Sequence, residues 1–274
     1  MITTETIELP ARGARVAVHR CGQGPLAVLL HGFPLDHRMW TGVMRGPLRE
    51  QRTLCAIDLR GHGHSPWCGD SAHTMELLAD DVAAVIEHLG AGAADVCGLS
   101  MGGYVALALQ ADHPSLVRSL VLSNTRPTAD TDAQRLGRVA SMEAAAREGR
   151  AGLAATMLEK LLPPTADPLH LAQVRTMIEA TPVETVVADQ RGMLQRSDRS
   201  EPLAASAAPT LVVSGDQDAL TPLGETREWT AALLGQEVTV IPGTGHMSPL
   251  EAPDAWSEVV GEFWRALSGD ARTA

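Results

Sequence analysis

Short apolar runs rich in β-branched side chains recur along the chain, separated by stretches with helical spacing. The runs at 26–30, 54–57, 94–97, 120–122, 211–213 and 238–241 are bounded by polar or turn residues. They read as parallel strands buried on both faces. Between them, 75–89, 102–110, 226–234 and 254–267 read as helices; in the first, Leu78, Val82, Val85, Ile86 and Leu89 fall on one face. Strands alternating with helices predict a mostly parallel sheet covered on both sides. Near the start, 6–9 and 15–19 alternate apolar with polar positions and predict an antiparallel edge hairpin.

The alternation stops between Arg126 and Ala205, where helix formers dominate. Leu153, Met157 and Leu161 share one helical face, and Val174, Met177 and Ile178 share another. Pro163, Pro164, Pro168 and Pro182 divide the segment into four predicted helices. A helical block inserted between two strands of a parallel sheet is expected above the strands' carboxyl ends, where such sheets bind ligands. The predicted organisation is therefore an α/β core at 1–125 and 206–274 with a helical cap, or lid, at 126–205.

Composition narrows the function classes. The chain has 22 basic and 33 acidic residues and a net charge of −11, which disfavours nucleic-acid binding through phosphate neutralisation. Lys160 is the lone lysine and no basic run exists, so no polybasic membrane patch is expected. The apolar runs fall far short of the ~20 residues of a membrane span. The first residues, Met1-Ile2-Thr3-Thr4-Glu5, lack the pattern of a secretory signal. Cys21, Cys55, Cys68 and Cys97 are scattered, which suits neither a disulfide framework nor a metal site. The expectation is a soluble, cytoplasmic protein without metal or cofactor. Of the charges, 10 basic and 11 acidic residues lie in 126–205, leaving 12 and 22 elsewhere. A nearly neutral cap thus covers a strongly acidic body, easing entry of a small anion beneath it.

The candidate chemistry begins at Cys97-Gly98-Leu99-Ser100-Met101-Gly102-Gly103, between a predicted strand and a predicted helix. A strand that turns abruptly into a helix brings residues two positions either side of the turn together, which favours Gly98 and Gly102 there. The turn lifts the Ser100 hydroxyl to the positive end of the helix. A serine nucleophile needs a base, itself oriented by an acid. His246 lies among glycines directly after the last strand, at the same sheet edge, and is the candidate base. Asp216 and Asp218 both follow the preceding strand. Asp218, further along, reaches back to the imidazole more readily, while Asp216 is suited to bracing the turn. The amide of Met101, after the nucleophile, and that of Phe33, after the third strand, are candidate oxyanion donors.

These residues fall in the segments HGFP at 31–34, DLRGHGHS at 58–65, GLSMGG at 98–103, GDQD at 215–218 and GTGHMSPLEAP at 243–253. With them, the chain resembles α/β-hydrolase-fold serine hydrolases over nearly its whole length. It looks most like enol-lactonases of the 3-oxoadipate type and small-ester hydrolases with a helical cap. The resemblance implies cleavage of a small-molecule ester or lactone, with DLRGHGHS shaping a structural loop and Asp58, Arg60, His62 and His64 outside the chemistry. Acyl transfer and thioester or carbon–carbon hydrolysis use the same machinery and stay open, as does a non-catalytic ligand-binding protein of this fold. Ser100 disfavours members with an aspartate nucleophile. Trp40 and Arg126 are candidate substrate contacts, with core or rim packing and a structural ion pair as their respective alternatives. The methionines of 126–205 suit pocket lining or gap filling equally.

Overall fold

Strands β1 (Thr3–Leu9), β2 (Ala14–Gly22), β3 (Leu26–Leu30), β4 (Thr53–Asp58), β5 (Ala94–Leu99), β6 (Val117–Ser123), β7 (Thr210–Gly215) and β8 (Thr239–Ile241) form one sheet in the computed structural model, which describes residues 1–269. Their order is β1-β2-β4-β3-β5-β6-β7-β8. β1 pairs antiparallel with β2, and β2 with β4; every later pair is parallel. The predicted edge hairpin is thus present, and the fold is an α/β-hydrolase fold.

The helices are α1 (Thr41–Arg45), α2 (Met75–His88), α3 (Met101–Asp112), α4 (Asp132–Leu161), α5 (Pro168–Ala180), α6 (Val183–Gln195), α7 (Ser200–Ala204), α8 (Leu223–Leu234), α9 (Ser248–Glu251) and α10 (Pro253–Leu267). No helix among the described residues is long and apolar enough to cross a membrane. Caps define several starts. Thr74 accepts from the Leu77 amide at 3.1 Å ahead of α2, and Thr131 forms a capping box with Gln134 at α4. Every residue of β3 and β5 is buried; β3 is apolar throughout, while in β5 the buried Asp95 is held by Arg52, Arg118 and Ser119. After β3 the chain forms β4 on one side and then returns to β5 on the other. The carboxyl ends of β3 and β5 therefore flank the switch point, where a crevice opens.

The segment between β6 and β7 holds α4 to α7, one helical piece more than the four expected because α4 is made of two. The α4 helix is broken at Gly149, which sits at φ 67 and ψ −167. A residue without a Cβ takes that conformation readily, so two helical pieces meet there. Docking of α6 on the core is very close. A Cβ on Gly192 would lie 1.6 Å from the His73 carbonyl oxygen, and one on Gly61 would lie 2.4 Å from Thr185 Oγ1. The His73 amide donates to Ala188 O at 2.9 Å. Asp189, fully buried, lies between His62 Nε2 at 3.0 Å and His73 Nδ1 at 2.7 Å. Burial opposes its ionisation, but the two imidazoles prevail and lower its pKa.

Trp40 is fully buried and packs against Trp256, with ring centroids 5.3 Å apart. Its reading as a substrate contact is thereby corrected: the 37–45 region folds inward to meet α10, and the indole is core.

These contacts predict contrasting glycine substitutions. Gly192→Ala should destabilise the protein by about 3 kcal/mol or more, because backbone must move to admit the methyl group. Gly224→Ala, in α8 with open space around it, should be neutral or stabilise by up to ~1 kcal/mol. Urea unfolding of both variants measures this; similar midpoints would contradict the close docking of α6.

Candidate active site

The turn from β5 into α3 dictates the position of Ser100. A Cβ on Gly98 would lie 2.3 Å from the Gly102 carbonyl oxygen, and one on Gly102 would lie 2.3 Å from Leu30 O. Both residues must be glycine for α3 to cross so near the ends of β5 and β3. Ser100 itself adopts φ 53 and ψ −115, a strained conformation for a residue with a side chain. Its carbonyl accepts from the amides of Gly103 and Tyr104, and its amide donates to Ser123 O at 3.1 Å. The turn is thus tied to both α3 and β6.

The loop after β3 lies alongside. His31 is fully buried, and burial, reinforced by the charge of His62, lowers its pKa to about 4, so the ring is neutral. Its Nε2 accepts from the Leu59 amide at 3.0 Å, which leaves the proton on Nδ1 to donate to Gly32 O at 3.0 Å. This neutral imidazole pins the HGFP loop to the end of β4. Phe33 lines the cavity over Ser100. Among the described residues, the amides of Phe33 and Met101 take part in none of the turn and loop hydrogen bonds.

His246 and Asp218 come together from the loops after β8 and β7. His246 Nδ1 donates to Asp218 at 2.9 Å from Oδ2 and 3.0 Å from Oδ1. Asp218 also accepts from the amides of Leu220 and Thr221, from the Thr221 hydroxyl, and from Asn124 Nδ2 at 2.8 Å. Burial opposes its ionisation. The His246 charge and these donors outweigh burial and hold the carboxyl far below the usual carboxylate range. Asp216 points elsewhere, accepting from the Gly243 amide at 2.8 Å. Asp218, and not Asp216, is thus the acid that meets the imidazole. Glu251 braces the histidine loop by accepting from the amides of Gly245 and Met247 at 3.0 Å. Burial nonetheless raises its pKa.

Ser100 and His246 line one cavity of about 330 Å³. His246 Nε2 is buried without a hydrogen-bond partner among the described residues, so the Ser100 hydroxyl shares the cavity but does not bond it. Such contacts are often loose in an unliganded site and tighten around substrate. The opposite wall comes from the helical segment, including Arg138, Met157, Lys160 and Met193. Two of its methionines therefore line the cavity, whereas Met177 is core.

Arg126 also lines the cavity, but its guanidinium donates to Leu220 O and lies 3.4 Å from Glu225. It thereby braces the loop carrying Asp218. Asp130 is claimed by both Arg138 and Arg196, the latter also stacked over Tyr104 at 4.1 Å. That cluster, like Asn124 and Thr221, has no sequence motif and becomes visible only in three dimensions; Glu251 falls within GTGHMSPLEAP, but its role there is not readable from the segment.

With this arrangement, the chain belongs to the alpha/beta hydrolase fold family, whose model matches residues 25–253. Its relatives are esterase- and lactonase-type enzymes. It is similar to a thermophilic esterase from Thermogutta terrifontis, at 32% identity and a TM-score of 0.89, covering 97% of this chain and 98% of that one. It is also similar to the enol-lactonase from Burkholderia xenovorans, at 27% identity and a TM-score of 0.83, covering 92% and 97%. The pimeloyl-[acyl-carrier protein] methyl ester esterase of Aeromonas hydrophila is 26% identical, over 90% of this chain and 98% of the relative.

The depressed pKa of Asp218 has a signed consequence. A carboxyl whose folded pKa lies below its unfolded value, about 3.9, stabilises the fold fully above that value. The contribution is lost as pH falls towards the folded pKa. The stability difference between wild type and Asp218→Asn should thus shrink as pH falls from about 5 to 3. Urea titrations across that range check it; a difference unchanged down to pH 3 would contradict the assignment.

Proposed function

We propose that this enzyme, a hydrolase acting on ester bonds, cleaves a small carboxylic ester or lactone by a serine mechanism. The observation that carries the reading is the buried His246–Asp218 pair, its free Nε2 in the cavity that holds Ser100. The Ser100 oxygen attacks the substrate carbonyl carbon while its proton passes to His246 Nε2. Asp218 holds the ring and offsets the imidazolium charge. The amides of Phe33 and Met101 stabilise the oxyanion, helped by the positive end of α3. His246 then protonates the leaving alkoxide, and the ester C–O bond breaks. Water, losing a proton to the same nitrogen, attacks the acyl-enzyme, and Ser100 recovers its proton as the acid leaves.

In this reading 126–205 is a cap that selects the substrate, while the core performs the chemistry. Lys160, exposed beside the cavity and without an ion pair among the described residues, favours a substrate bearing a carboxylate. Arg138 adds to this, since Asp130 neutralises only one of the two arginines it binds. A cytoplasmic setting suits the four free cysteines, of which Cys21, Cys55 and Cys97 are buried.

Three variants test the mechanism. Ser100→Ala should fold and lower kcat by roughly 10⁴- to 10⁶-fold, and Asp218→Ala should lower it by about 10²- to 10⁴-fold. Asp216→Asn should cost much less. The proposal fails if Ser100→Ala loses less than tenfold, or if the two aspartate variants rank in reverse. A fluorophosphonate probe separates this reading from a non-catalytic binding protein, whose serine would not label.

Lys160→Gln should raise KM about 2- to 5-fold for an ester carrying a free carboxylate, leave its neutral analogue unchanged, and lose this effect at high salt. Equal effects on both esters would remove the charge argument.

A further inference from the structure

Asn124 joins the parts of the site although it takes no role in the chemistry above. It directly follows β6 and adopts φ 48, a left-handed conformation that asparagine tolerates better than most residues with a side chain. Its amide N–H donates to Val213 O at 2.9 Å, so the turn is fixed to β7. The side chain is fully buried. Its Nδ2 donates to Asp218 Oδ2 at 2.8 Å and to Gly245 O at 3.2 Å, while its Oδ1 accepts from the Ser248 hydroxyl at 2.6 Å.

The chemistry of these partners sets the amide's orientation. Asp218 Oδ2 and Gly245 O are both acceptors, so an inverted amide would bring its oxygen against two further oxygens with no proton between them. Ser248, whose hydroxyl either donates or accepts, completes the set by donating to Oδ1. One buried amide thus spans the loop that carries Asp218 and the residue immediately before His246. The other donors to Asp218 come from its own loop, at Leu220 and Thr221, or from His246 itself.

We infer that Asn124 is a positioning residue: its amide, oriented by Ser248, fixes the Asp218 carboxylate relative to the His246 loop so that the imidazole keeps one orientation. The inference rests on the triad reading above. Among the described residues, Asn124 forms no hydrogen bond to the cavity-facing nitrogen of His246 or to Ser100. Its effect passes through Asp218, and substrate binding does not depend on it. Asp218 binds the imidazole and Glu251 accepts from the amides of Gly245 and Met247 on either side of His246; the cavity that His246 lines adds Arg126, Lys160 and Arg138, the last paired with Asp130. An acid at position 124 would add a third negative charge where a neutral donor now stands.

The test is a set of variants assayed for kcat, KM and pH dependence. Asn124→Gly keeps the left-handed turn without strain and removes the amide. It should lower kcat about 10- to 100-fold, as for loss of a hydrogen bond to a charged group, and leave KM within about twofold. Ser248→Ala should lower kcat less, and should add nothing in the Asn124→Gly background, because the hydroxyl acts through the amide. Asn124→Asp, nearly the same shape, should move the acid limb of kcat/KM to higher pH, since added negative charge favours the imidazolium. This variant also carries the test if Asn124→Gly fails to fold. Wild-type kcat in Asn124→Gly, or additive losses with Ser248→Ala, or an unmoved acid limb in Asn124→Asp, would each overturn the inference. Ser100→Ala and Asp218→Ala in the same assay separate the two failures. If these remain active, the triad reading falls. If they are inactive while the Asn124 variants behave as wild type, only the role of Asn124 falls.

Discussion

The nearness of α3 to the ends of β3 and β5 is the constraint on which the rest of the site depends. The helix begins so close to the sheet that neither Gly98 nor Gly102 has room for a Cβ against the neighbouring backbone. That crossing forces Ser100 into its strained backbone conformation, lifts its side chain over the sheet edge and directs the first amides of α3 to the same place. The strain, of order 1–3 kcal/mol for such a residue, is offset by the pairing of β5 on both sides and by the burial of α3. The same crossing sets where Phe33 stands, because a Cβ on Gly32 would meet Leu99 Cδ2 at 2.9 Å. The turn at Ser100 and the loop carrying Phe33 therefore share one steric solution.

The acid–base side is built differently. His246 and Asp218 sit on separate loops with no common helix to align them, and hydrogen bonds replace steric fit. Asp218 gathers donors from its own loop, from Asn124 and from His246, so a nearly buried carboxylate keeps its charge. Glu251 fixes the backbone on either side of His246, and Arg126 holds the carbonyl of Leu220 two residues beyond Asp218. An ionised pair in this setting favours a single imidazole orientation, which proton transfer in one direction and then the other requires. To the cavity that His246 lines, the helical segment contributes the cations Arg138 and Lys160 as well as Met157 and Met193.

Much of this was legible in the sequence wherever the deciding physics is local. Gly98, Ser100 and Gly102 reveal the tight turn because their spacing reflects a backbone clash between near neighbours. The sheet edge on which 216–218 and 243–246 fall follows from strand alternation alone, and His246 and Asp218 meet in the structure as that edge implies. Interactions between distant strands left no such trace. Asn124 looks like any polar residue ending a strand, yet it bonds residues 94 and 121 positions away. Trp40 was misplaced for the same reason: nothing near it in sequence says that its loop turns inward onto Trp256. The break in α4 at Gly149 lies in a run of good helix formers, where a lone glycine is a weak signal. The docking of α6 rests on Gly61, Gly192 and Asp189, whose partners are far away along the chain.

The central claim, a covalent intermediate on Ser100, is tested most directly by trapping it. The wild-type enzyme is mixed with an activated ester such as a p-nitrophenyl ester, quenched in acid during turnover, digested and examined by mass spectrometry. An acyl adduct is expected on the peptide containing Ser100, located on that serine by fragmentation, and absent from Ser100→Ala. An enzyme that turns over the ester with no adduct, or with the acyl group on another side chain, would contradict it.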